Sequence, residues 1–258
     1  MNFKERISIQ FTNLTKTDKK ISNILLKHPD YLIDNSAQEA AEIIGTSPAA
    51  LVRLAKKMGY KGLADFKISL EDYAGQEPSR EDYLEKPLIT KVIDNYRDNL
   101  HLLEQQLDEG QLDRISDILA KAQHIKILGI GSSGLAAEQM VYFLLYQDKY
   151  TESVTSKTKM YYLSRSLTKE DVLLIYSVSA NKDYDELLAA AKKAGAQLIM
   201  VTMNSQDKIR EIAAEFVLLP SNLTNLGSAS GEIYQLDNRS LFSVFSEILA
   251  AYIHKKVK

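Results

Sequence analysis

The chain has 258 residues, 45% hydrophobic and 26% charged, with 32 lysines and arginines against 34 aspartates and glutamates and no cysteine. That balance excludes a whole-chain polyelectrolyte, and the missing thiols exclude a disulfide scaffold, a thiolate metal site and a cysteine nucleophile. The length suits one large domain or two smaller ones, and two are expected.

No apolar block follows Lys4, Glu5 and Arg6, and no 18 uncharged apolar residues run together. A secretion signal and a membrane span are therefore not expected, and a soluble, cytoplasmic protein is. The first seventy residues read as helices, with apolar positions three and four apart. Phe3, Ile7 and Phe11 form one stripe. Thr15 with Asp18 makes a capping box ahead of Ile21, Ile24 and Leu25, and Pro29 stops that helix after His28. Ala37, Ala40, Ala41 and Ile44 form a short stripe ended by Gly45; Leu63, Phe66 and Leu70 form another after Gly62. The expected divisions are a helical domain over 1–74, a connector over 75–87 that holds two prolines and six charges, and a second domain over 88–258.

Leu88 to Leu107 returns to helical spacing, and a second helix follows around Leu112, Ile115 and Leu119. From Ile125 the texture becomes short apolar runs between turns, alternating with helical stretches, as in a parallel sheet covered on both faces. Five strands are expected: Ile125–Ile130, Thr151–Thr155, Val172–Ser177, Leu198–Thr202 and Phe216–Leu219. They predict a three-layer α/β/α domain with a five-stranded parallel sheet, closed by a helix through Leu241, Phe242, Phe245 and Leu249.

Within residues 1–70 eleven bases meet seven acids, an excess of four in a chain whose net charge is −2. The stretch SAQEAAEIIGTSPAALVRLAKKMGY has helix-turn-helix grammar: a short alanine-rich helix, a turn through Gly45, Ser47 as N-cap and Pro48 at the first helical position. In the second helix Leu51, Leu54, Ala55 and Met58 share one face, and Ala49, Arg53, Lys56 and Lys57 the opposite one, with Ala50 and Val52 at its flanks. Double-stranded operator DNA is the expected partner of Ser47, Ala49, Ala50, Arg53, Lys56, Lys57 and Lys61. The small residues allow close approach, Arg53 reaches guanine edges, and the lysines meet phosphates. A solvated basic helix in any all-α domain is the plainer alternative. The four histidines, none at metal spacing, make a metal site unexpected.

In the second half, IKILGI runs into Gly131, Ser132, Ser133 and Gly134 ahead of a helix, where amides and the helix dipole favour an anion. The same residues fit the weak G-x-G-x-x-G dinucleotide pattern. A sugar phosphate is preferred, because a second hydroxyl loop, Ser177 and Ser179 in SVSANKD, ends a neighbouring strand. The second strand also lacks the acidic residue that would hold a ribose. Serines that only cap helices are the structural alternative.

The order of helix-turn-helix, connector, GIGSSG and SVSANKD, with the run VRLAKKMGYKGLADFK, resembles the RpiR family of bacterial transcription regulators, whose C-terminal half is a SIS (sugar isomerase) domain. The resemblance covers nearly the whole chain. It implies a phosphorylated-sugar effector that tunes DNA affinity and a homodimer or homotetramer; Ser133 matches the first-loop phosphate ligand, and Ser177 and Ser179 the S-x-S pair. No cofactor is expected. Two residues depart from the family's S-x-S-G-x-T loop: Ala180 stands for the glycine and Lys182 for the threonine, and Lys182 offers a point charge to a phosphate. Glu232, with Asp237, Asn238 and Arg239, is expected at a pocket rim or subunit contact. Two other functions compete with a sensing regulator. A SIS-type isomerase would take Glu232 as base but finds no nearby ring-opening histidine, and a dinucleotide-sensing repressor remains the third reading.

Overall fold

The structure, a computed structural model, describes residues 3–10, 13–76, 87–204, 207–221, 224–227, 233–236 and 239–256. It folds as two units, Met1–Asp98 with Ser221–Asn238, and Asn99–Pro220 with Arg239–Lys258.

The head begins with α1 (Phe3–Gln10), α2 (Lys16–Lys27), α3 (Asp30–Ile33), α4 (Ala37–Ile44), α5 (Pro48–Lys57) and α6 (Leu63–Gln76). The capping box of α2 is formed: the Thr15 amide donates to Asp18 at 3.0 Å and the Asp18 amide to Thr15 Oγ1 at 3.2 Å. The helix ends at His28, as Pro29 requires. Phe3, Ile7, Leu25, Leu51, Leu54 and Phe66 are fully buried in one core, each contributing about 1.5–3 kcal/mol. Arg6 ties α1 to the end of α5, donating from Nη1 to the Met58 carbonyl at 2.8 Å and lying 4.4 Å above the Tyr60 ring. Helix α6 runs through Gly75 and Gln76, two residues into the expected connector; residues 77–86 lie outside the described part.

Helix α7 (Leu88–Gln106) leads into α8 (Glu109–Lys121), capped by Asp108, which accepts from the Gln111 amide at 2.9 Å. The sheet then assembles from β1 (His124–Gly129), β2 (Glu152–Val154), β3 (Asp171–Ser177), β4 (Gln197–Thr202) and β5 (Glu215–Leu218). All neighbours are parallel and the order is β2-β1-β3-β4-β5. Each expected strand is present within a residue or so of its predicted ends. The crossovers are α9 (Ser133–Leu145), α10 (Lys157–Ser164), α11 (Asp185–Ala194) and the single turn α12 (Asp207–Arg210). Every residue of β3 is buried, so it reads as an unbroken apolar run and not as an alternating one. Two acids are buried in the sheet: Asp171 of β3 accepts from the Thr168 amide at 2.8 Å and hydroxyl at 2.9 Å, and Glu215 of β5 is held by Arg114 of α8 at 2.6 Å and Gln111 at 3.0 Å. An antiparallel pair, β6 (Thr224–Gly227) and β7 (Ile233–Leu236), was not expected from the sequence; its four-residue runs carry too little alternation to stand out. Helix α13 (Ser240–His254) closes the domain, with Tyr176 Oη 2.6 Å from Ser246 Oγ. Among the described residues no helix is long and apolar enough to cross a membrane.

Candidate DNA interface and ligand crevice

Helices α4 and α5 form the helix-turn-helix. Ser36 and Glu39 make a second capping box, at 2.9 and 3.3 Å, which fixes where α4 begins. Gly45 ends it in the left-handed region, φ 71°, and the Thr46 amide returns to the Ala41 carbonyl at 2.8 Å. Ser47 then caps α5, its hydroxyl accepting from the Ala50 amide at 3.2 Å, with Pro48 next.

Of the residues expected to face DNA, Ala49, Arg53, Lys56, Lys57 and Lys61 are exposed. Neither Arg53 nor Lys56 has an ion-pair partner among the described residues. Ser47 is exposed, but its hydroxyl serves the cap. Ala50 departs from expectation: 7% exposed, it packs into the head's core, since a residue at the flank of a helix face is covered or open according to its neighbours and not its spacing. Lys57 is exposed as expected, and its ammonium also pairs with Asp18 of α2. Burial alone would raise the Asp18 pKa; hydrogen bonds from Lys57 and Thr15 outweigh it and hold the carboxyl below its ordinary value.

The crevice is set by topology. From β1 the chain crosses to β2 on one side, and from β3 to β4 on the other, so the sheet switches direction between β1 and β3 and their carboxyl ends leave a gap. The loop after β1 is shaped by glycine. A side chain at Gly129 would come within 2.3 Å of the Ser133 carbonyl oxygen, so the strand end meets the first turn of α9 directly. Gly131 takes φ 67°. Ser132 is exposed at the start of α9 and makes no side-chain cap there, while Ser133 is 5% exposed.

The second loop begins at Ser177, 5% exposed, whose hydroxyl accepts from the Ala180 amide. Ala180 adopts φ 45°, so the left-handed turn that a glycine makes cheaply is kept with a methyl group present. The loop is pinned from β4: Asn204 Nδ2 donates to the Ser179 carbonyl at 2.8 Å and Thr202 Oγ1 to Val178 at 3.3 Å. Lys182 is exposed beside Asp183, which pairs with Lys157 at 2.9 Å. Glu232 lies outside the described residues, as do Asp237 and Asn238.

Sequence reasoning missed Tyr184. Buried and packed in the sheet's core, its hydroxyl interacts with the Ser177 side chain and the Ile130 backbone, so one group touches both loops. Burial raises its pKa, and the two hydrogen bonds offset only part of that. Thr202 and Asn204 were also missed, although polar residues at the end of so apolar a strand are a readable signal. Two surface concavities lie elsewhere, one lined by Asp117, Lys121, Lys169 and Gln197 at the amino ends of the strands, the other by Lys157, Tyr161, Asp183 and Glu186 between α10 and α11. No cluster of three or more metal-ligating side chains is present among the described residues.

Comparison with known proteins places names on both halves. Residues 1–77 match the family model described as helix-turn-helix domain, rpiR family, and residues 118–231 the SIS domain model. An HTH-type transcriptional regulator of Haemophilus influenzae is 26% identical, over 92% of this chain and 88% of its own. The regulator HexR of Escherichia coli is 24% identical, over 84% and 78%. Among solved structures, Vibrio vulnificus NanR complexed with ManNAc-6P superposes with a TM-score of 0.56 at 17% identity, covering 99% of this chain and 92% of that one. The sugar isomerase domain of an RpiR transcription factor from Sphaerobacter thermophilus gives 0.57 at 20% identity, over 67% and 92%. At these identities the structural likenesses establish the fold.

Proposed function

Because the chain belongs to the rpiR family of helix-turn-helix transcriptional regulators and carries a SIS domain, we propose that a phosphorylated sugar bound in the SIS crevice sets its affinity for operator DNA. The observation that carries this reading is the pair of serine loops rising from adjacent parallel strands at the sheet's switch point. The amides at the start of α9 and the hydroxyls of Ser132, Ser133 and Ser179 offer donors to a phosphate and its sugar. Ser177 helps mainly by shaping the turn. Lys182 stands beside the loop as an exposed cation.

The arrangement of the head supports a division of labour on DNA: Arg53 reads base edges and Lys56 and Lys61 contact phosphates, while Ala49 permits close approach. Ligand and DNA are coupled when both discriminate between the same two states of a homodimer or homotetramer. That its relatives over most of its length are named regulators supports sensing over catalysis. The domain limits that go with this reading are a head over 1–74, a connector over 75–87 and the SIS domain over 88–258.

The test is a thermal-shift screen against phosphorylated sugars, including the ManNAc-6P found on NanR, followed by operator-binding isotherms with and without each hit. A sugar phosphate that raises the melting temperature and moves the isotherm supports the reading. Protection by NADH or NADPH and by no sugar phosphate would overturn it.

A further inference from the structure

Tyr184 ends a single 3-10 turn, Lys182–Tyr184, in which its amide donates to the Asn181 carbonyl at 3.2 Å, and α11 starts at the next residue. The side chain is 3% exposed and lies in one apolar cluster with Leu128 and Ala180, against which Ile130 packs. Its hydroxyl accepts from the Ser177 hydroxyl and from the Ile130 amide. Ser177 accepts in turn from the Ala180 amide at 3.1 Å. A serine hydroxyl carries one proton, so with that proton given to Tyr184 it has none for a ligand. Each loop is also fastened to its own surroundings. After β1, the backbone at Gly129 lies against Ser133 and Gly134. After β3, Asn204 and Thr202 hold the Ser179 and Val178 carbonyls from the end of β4. Those contacts fix neither loop against the other, whereas the Tyr184 hydroxyl is bonded to both.

We propose that Tyr184 is the positioning residue of the crevice: its hydroxyl latches the loop after β1 to the loop after β3 and so sets the gap into which a phosphorylated sugar fits. The inference rests on the sugar-phosphate reading and deepens it. A ligand held by donors from two loops binds tightly when their spacing is set before it arrives, and a gap that must be ordered on binding costs affinity. Ser177 then joins Tyr184 to the Ala180 turn and gives the ligand no proton. Because α11 begins at the residue after Tyr184, the same hydroxyl ties the start of that helix to the loop after β1.

Tyr184→Phe keeps the ring and removes the hydroxyl. The first measurement, residue-resolved amide hydrogen exchange on the full chain, needs no ligand, so its outcome stands apart from that of the regulator reading. Exchange at Ile130 should rise ~10-fold or more, with the amides inside β3 and β4 unchanged. The second is a titration with ManNAc-6P, or with whichever sugar phosphate of the thermal-shift screen protects the wild-type chain most. Its affinity for Tyr184→Phe should fall ~10-fold. Tyr176→Phe is the control for a merely structural role, since that hydroxyl is fully buried and 2.6 Å from Ser246 of α13. Its loss should lower the melting temperature and change neither Ile130 exchange nor the affinity. Unchanged Ile130 exchange in Tyr184→Phe, an equal rise in Tyr176→Phe, or a sugar-phosphate affinity that survives Tyr184→Phe intact would overturn the proposal. If no sugar phosphate binds the wild-type chain, the regulator reading fails, and the exchange result alone decides whether the two loops are latched.

Discussion

The Ser177 hydroxyl accepts a hydrogen bond from the Ala180 amide at 3.1 Å, closing a turn in which Ala180 is held at φ 45°. A left-handed alanine costs about 1–2 kcal/mol, while its buried methyl returns about 0.8 kcal/mol. Ala180→Gly should therefore leave stability unchanged or raise it by up to about 1 kcal/mol. Ala180→Val, with a branched side chain in the same region, should lose more than about 2 kcal/mol. Urea denaturation of the three chains checks this, and a marked loss in the glycine variant would contradict the assigned turn.

The two glycines of the first loop should behave differently. Gly131→Ala meets no atom within 4 Å and carries only the cost of its φ, about 1–2 kcal/mol. Gly129→Ala sets a methyl group against the backbone of Ser133 and Gly134. It should be several kcal/mol worse or fail to fold, with any soluble remainder losing sugar-phosphate protection in a thermal shift.

On DNA, Arg53→Ala should cost about 1–3 kcal/mol, unevenly across operator variants. Lys56→Ala should weaken all sequences alike and reduce the slope of log K against log salt by about 1. Lys57→Ala should leave that slope nearly unchanged and instead destabilise the head, because its charge is committed to Asp18. Equal salt slopes for the two lysine variants would refute that commitment.

Asp18 also sets a pH dependence. Its folded-state pKa lies below the ordinary value of 3.8, so the unfolded chain takes up this proton first as pH falls. The stabilisation is complete above the ordinary aspartate range and is lost as pH falls through the folded-state value. Asp18→Asn should flatten the acid limb of the head's stability curve; an unchanged limb in acid titration followed by circular dichroism would count against the pairing.

What could be read in advance is what is written locally. Ser36 with Glu39, Ser47 before Pro48, and Gly45 announce their turns within four residues, and the apolar runs of β1, β3 and β4 announce a sheet buried on both faces. The serine loops followed from the same logic, because neighbouring strand ends fix where they emerge. The pairing of Lys57 with Asp18 spans 39 residues, and the bridging of Ile130 and Ser177 by Tyr184 needs the tertiary fold; neither leaves a periodic trace. Ala50 sits at the flank of the helix wheel, where periodicity does not decide burial.

With Lys57 paired to Asp18 and the Met58 carbonyl accepting from Arg6, the far end of α5 is tied to both α1 and α2. On the proposed reading, a reading helix tied at two points meets a mismatched duplex without yielding, and the duplex would have to bend to fit it.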